Sequence, residues 1–141
     1  MTSIVAQIEI ARRPADVFAY VADPSHFPEW QADVVAVRVD GDRFTTVRRI
    51  AGTERPMTQE VIVSDAPRTW SVRGVDGPVR PNVDVTIEPL DGGSRSRATF
   101  TFDFDGHAMG QALLPVVRRM TARQAPVSLR RLKELLEERE A

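Results

Sequence analysis

The chain contains no cysteine. That excludes a disulfide framework, a thiolate nucleophile and cysteine-held zinc or iron–sulfur. It agrees with a reducing compartment without requiring one. Neither sign of charge prevails: 19 Lys and Arg stand against 20 Asp and Glu, for a net charge of -1. So even a balance gives no electrostatic reason to expect nucleic acid or an anionic membrane as the main partner. No stretch approaches the roughly 20 apolar residues of a membrane span. Residues 1–12 have neither a basic start nor a long apolar run. No signal peptide and no integral membrane association are therefore expected, and the expected location is cytoplasmic. Lys133 is the single lysine, an arginine bias that goes with a GC-rich bacterial genome and carries no chemistry.

What is present is ordinary globular material. The 141 residues suit one domain over residues 1–141, long enough to bury a core without staples. Apolar residues make up 42% and charged residues 28%, the proportions of a folded chain rather than a disordered one. Thr2 to Arg12 alternates, with Ile4, Ala6, Ile8 and Ile10 on one side, and predicts a half-buried strand. Pro14 suits a helix first turn, and Val17, Phe18, Tyr20 and Val21 form the apolar stripe of a short helix that Asp23-Pro24 ends. Ser25 to Trp30 reads as a second short helical piece.

Six further strands are predicted at Val34–Asp40, Arg43–Ala51, Pro56–Ser64, Thr69–Val75, Val83–Pro89 and Arg95–Asp105. Gly41-Asp42, Gly52 to Arg55, Asp65 to Arg68, Asp76-Gly77-Pro78 and Asp91-Gly92-Gly93 separate them as turns. The last strand has the clearest sides: Ala98, Phe100, Phe102 and Phe104 face one way. From Met109 the pattern is helical, with Leu113, Val116, Val117, Met120, Val127, Leu132, Leu135 and Leu136 at helical spacing. Pro115 is expected near its regular start and Pro126 to kink it. The order defines an α+β chain: a seven-stranded curved antiparallel sheet wrapped around a long C-terminal helix, with two short helices after the first strand. A curved sheet gripping one helix leaves an apolar cavity, bounded also by the Phe27–Trp30 segment and of several hundred Å³ if open, as the expected binding place.

Two segments carry a family resemblance. Pro14-Ala15-Asp16-Val17-Phe18-Ala19-Tyr20-Val21-Ala22-Asp23-Pro24, followed by Phe27-Pro28-Glu29-Trp30, resembles the N-terminal signature of the START-like, or SRPBCC, superfamily, in its polyketide cyclase/dehydrase and lipid transport branch. Ser128 to Glu137 is similar to that branch's closing helix. The resemblance implies a helix-grip fold with a deep cavity. It does not select among lipid carriers, aromatase/cyclases and other members, and no family catalytic motif is visible.

Phe27 and Trp30 are candidates for the cavity mouth, with Trp70, Phe102, Leu113, Val117 and Met120 in its apolar wall. Arg48, Arg49, Gln59, Glu60, Arg73, Asn82 and Asp84 lie in strands, where alternation turns half of them outward; Arg49 and Gln59 are the expected inward handles. Asp103, Asp105 and His107 share one strand side, but the opposite side carries the phenylalanines, so these acids are expected in solvent and no bound metal is predicted. His26 and His107 lack any serine–carboxylate partner pattern. Arg118, Arg119 and Arg123 read as a solvated helix face, because no aromatics interleave them. The leading expectation is binding or transport of a hydrophobic small molecule, lipid- or polyketide-like, with no cofactor. A cyclase-like enzyme on a cyclic apolar substrate and a protein-interaction module stay open, as do the catalytic residues and the oligomeric state.

Overall fold

Alternation of apolar and polar residues builds seven strands in a computed structural model that describes residues 3–138. They are β1 (Ile4–Ile10), β2 (Val34–Asp40), β3 (Arg43–Ile50), β4 (Thr53–Asp65), β5 (Thr69–Asp76), β6 (Val79–Leu90) and β7 (Arg95–Gly106). They form one sheet in the order β1-β7-β6-β5-β4-β3-β2, antiparallel throughout. Strands β2 to β7 follow one another as a meander, and β1 returns to pair with β7 from Ile4↔Phe102 to Ile10↔Ser96. Gly41 and Gly52, at φ 62° and 79°, make the two turns flanking β3 in left-handed backbone that glycine adopts without strain.

Two strands start earlier than their patterns suggest. β4 begins at Thr53 and β6 at Val79. Residues read as turn pair in the ladder instead, Glu54 with Arg49 and Arg55 with Arg48, because Ala51-Gly52 alone reverses the chain.

Helix α1 (Pro14–Val21) buries Val17, Phe18, Tyr20 and Val21. A 3-10 turn at Pro24–His26 is capped by Asp23, whose carboxylate accepts from the Ser25 amide at 3.0 Å. α2 (Phe27–Trp30) follows directly and buries both of its end residues. Helix α3 (Gly110–Glu138) closes the fold, and no helix among the described residues is long and apolar enough to cross a membrane. It continues through Pro115 and Pro126 and starts already at Gly110. Each proline removes one N–H from the helical ladder, and packing on the sheet outweighs the loss.

The buried side of α3 carries Leu114, Val117, Ala125, Leu129, Leu132 and Leu136. Val116 and Val127, placed on that stripe by spacing, are exposed instead. Each is rotated off the face that its buried neighbours present to the sheet, since one residue is about 100° of turn.

Two apolar clusters hold α3 to the concave face. The larger joins Ile10, Val17, Val21, Ile87, Ala98 and the C-terminal half of α3 through Leu129, Leu132 and Leu136. The smaller joins Ile50, Met57 and Val79 with Leu114 and Val117 near the start of α3. Leu113, expected in the cavity wall, packs against this smaller cluster and does not line the cavity. The start of α3 is pinned by close approach: a Cβ on Gly110 would lie 1.8 Å from the Pro78 carbonyl oxygen.

Candidate functional site

Between these clusters the sheet and helix do not meet, and a cavity of about 110 Å³ remains. It is smaller than the several hundred Å³ expected, because aromatic rings fill the space beneath the helix. Phe27 meets three rings edge-on, with centroids 5.8 Å from Trp30, 5.7 Å from Phe44 and 6.2 Å from Trp70. Phe44 stacks on Trp70 at 6.1 Å, Trp30 stands against Phe100 at 5.9 Å, and Phe100 stacks on Phe102 at 6.2 Å. These are favourable aromatic geometries, so the wall is set before any ligand enters.

Four elements bring these rings together. The α2 turn delivers Phe27 and Trp30, β3 delivers Phe44, β5 delivers Trp70, and β7 delivers Phe100 and Phe102. Val117 and Met120 complete the wall from α3. Of the residues expected at the site, Phe27, Trp30, Gln59, Trp70, Phe102, Val117 and Met120 line the cavity.

Arg49 does not. On β3 the concave side takes Phe44, Thr46, Arg48 and Ile50, and alternation sends Arg49 outward, 3.8 Å from Glu54. The inward guanidinium is Arg48. The parity of Phe44 and Ile50 carries that signal in the sequence. Arg48 Nη1 donates to Asp33 Oδ2 at 3.1 Å and its Nε to Thr46 Oγ1 at 3.3 Å. Asp33 lies in the short link between α2 and β2, and the side chains of Arg48 and Asp33 are 19% and 16% exposed. Gln59 is buried in β4, and its Nε2 donates to the Pro81 carbonyl at 3.2 Å. The Trp30 indole N–H is buried with no acceptor among the described residues.

The remaining polar candidates are occupied elsewhere. Glu60 pairs with Arg43 and Asp84 with Arg73 outside the cavity. Asp103 accepts from Ser3 Oγ at 2.7 Å and Asp105 from Asn82 Nδ2 at 2.9 Å. No group of three or more His, Cys, Asp or Glu among the described residues is placed to hold a metal ion. His26 stacks on the Tyr20 ring at 4.3 Å, and the Tyr20 hydroxyl donates to Glu29. This arrangement fastens α1 to the 3-10 turn and α2, behind the cavity wall.

A seven-stranded sheet curled around one long helix, with an aromatic-walled cavity between them, defines a START-like protein of the helix-grip class. The family model for polyketide cyclase/dehydrase and lipid transport matches residues 1–137, and the chain belongs to that family. Solved structures share the fold. The Zhui aromatase/cyclase from Streptomyces sp. R1128 superposes with a TM-score of 0.82 at 16% identity, over 99% of this chain and 96% of that one. A protein from Thermus thermophilus gives 0.81 at 17% identity, over 99% and 100%. A START superfamily protein from Mycobacterium smegmatis gives 0.72 at 17% identity, over 97% and 95%. No curated protein matches the sequence.

Proposed function

We propose that the chain binds a hydrophobic small molecule, of lipid- or polyketide-like character, in the cavity between the sheet and α3. The observation that carries this reading is the wall itself: seven aromatic side chains enclose a space that also holds Arg48, Asp33 and Gln59. A filled core would gain more from apolar contact throughout, since buried polar groups are costly unless paired. A few polar groups in an apolar concavity are the composition of a ligand site. Ligand binding to the folded state raises stability by mass action. Native mass spectrometry of the protein taken from its own host should show a retained small molecule, and adding that molecule back should raise the melting temperature. A panel of apolar compounds that neither binds nor shifts the melting temperature would end this reading.

The Arg48–Asp33 pair gives a second reading specific support. A carboxylate held beside a guanidinium within an apolar cavity is the kind of pair that orients a cyclic substrate and moves a proton during cyclase-like chemistry. Under that reading Asp33→Asn abolishes turnover while binding persists. Under the carrier reading there is no turnover to lose.

A further inference from the structure

Of the described residues that line the cavity, Arg48 and Asp33 are the only charged ones, and they face each other. Their charges cancel, so the cavity carries no net charge. A ligand carboxylate placed beside them would leave one negative charge without a partner, and an unpaired charge away from water is strongly unfavourable.

The unused hydrogen-bonding groups point the same way. Arginine has five N–H donors; here Nε and Nη1 are engaged, while Nη2 has no partner among the described residues. Gln59 turns its amide nitrogen to Pro81, which leaves its Oε1 available as an acceptor. A neutral hydroxyl can both give and take a hydrogen bond, whereas a carboxylate can only accept. The cavity therefore has donors and an acceptor to satisfy, and no surplus positive charge.

We infer that Asp33 sets the charge selectivity of this cavity: by neutralising Arg48 it admits uncharged, oxygen-bearing ring compounds and turns away carboxylates. The inference rests on the proposed function and narrows its ligand class. Asp33 acts here through Arg48, as a specificity residue. Removing its charge frees the guanidinium, and the preference should reverse, because an Arg without its partner is a carboxylate receptor.

The test uses two probes of one ring system, 2-naphthol and 2-naphthoate, titrated calorimetrically at pH 7 into the full-length native protein and its variants. The native protein should bind 2-naphthol at least about tenfold more tightly than 2-naphthoate. Asp33→Asn should invert that order. The double variant Asp33→Asn/Arg48→Gln, which has no cavity charge, should return to the native preference, which assigns the inversion to the freed guanidinium; where Asp33→Asn folds poorly, Arg48→Gln, which leaves Asp33 unpaired, should widen the native preference for 2-naphthol, and an unchanged ratio there overturns the charge selection. Equal binding of the two probes to the native protein, or an unchanged preference in a folded Asp33→Asn, overturns the charge selection and leaves the proposed function standing. Binding of neither probe to any of these proteins counts against the cavity as a ligand site and takes this inference with it.

Discussion

Phe102 and Leu132 are both inward-facing apolar residues, yet they fill different kinds of space. Leu132 is fully buried in the larger cluster, and Phe102 is half-buried at the cavity wall. Leu132→Ala should cost about 2–5 kcal/mol in denaturant unfolding, through lost burial and a new void. Phe102→Ala should cost less, about 1–2 kcal/mol, because part of its surface already faces empty space and loses no contact. Its effect on ligand affinity should exceed its effect on stability. The Arg49–Glu54 pair is exposed, with side chains 60% and 59% accessible. Arg49→Ala should therefore change stability by less than about 0.5 kcal/mol and leave binding unaltered. Glu137 behaves differently. The Lys133 ammonium at 2.7 Å, with the Ala11 amide at 2.9 Å, holds its carboxyl below the ordinary glutamate value. A lowered folded pKa gives stability that is complete above the unfolded value, about 4.3, and is lost as pH falls through the folded value. Glu137→Gln should cost about 1 kcal/mol at pH 7, and the difference from the native protein should vanish in acid denaturation curves below that range.

At the scale of elements, strands announce themselves where one face is cleanly apolar. β7 alternates Ala98, Phe100, Phe102 and Phe104 without interruption, and its direction is readable directly from the sequence. β4 is not readable in this way. Its register against β5 shifts between Val61 and Val63, so Ile62 is an unpaired residue that breaks the period of two and faces outward. That bulge is why the sides of Pro56–Ser64 are ambiguous, although Gln59 is buried as expected. The Arg48-Arg49 doublet shows the same limit: composition identifies a guanidinium near the cavity, and only the parity of Phe44 and Ile50 says which one. Asp33 carries no periodic signal, because it sits in a link between elements and matters through a partner in a later strand. On α3, spacing finds Val117 and Leu132 but cannot separate Val116 from Leu114, since a 3.6-residue repeat sweeps several apolar residues past one face. The start of this helix also depends on a residue with no side chain. Gly110→Ala would drive a Cβ into the Pro78 carbonyl. The substitution should cost about 1–3 kcal/mol, measured by thermal or denaturant melts, with the β5–β6 turn and the first turn of α3 losing amide protection first.

For the whole molecule, the sheet is a run of local hairpins closed by one distant pairing, that of β1 with β7. The C-terminal end of α3 ties down the end of β1: Arg12 donates to the Leu136 carbonyl at 2.7 Å, and Glu137 accepts from the Ala11 amide. The two ends of the described chain thus stabilise each other, while the cavity lies in the stretch of α3 between its two clusters. Loosening Leu114 and Val117 at one end should therefore widen the cavity without opening the β1–β7 seam. Leu114→Ala should raise the exchange rate of amides around residues 110–120 by more than those of β1, as hydrogen exchange would measure.

The cavity wall also contains both of the chain's tryptophans, Trp30 and Trp70, each 5% exposed or less. All indole emission from this protein thus originates at one place. The free protein should emit at the blue end of the tryptophan range, since neither ring is solvated. A guest that displaces cavity water or stacks on Trp70 should alter the whole signal rather than a fraction of it. Replacing Trp30 and Trp70 singly by Phe would divide that emission into two local reporters, one at the α2 end of the cavity and one on β5. Ligand entry could then be followed optically from each side, with no added label.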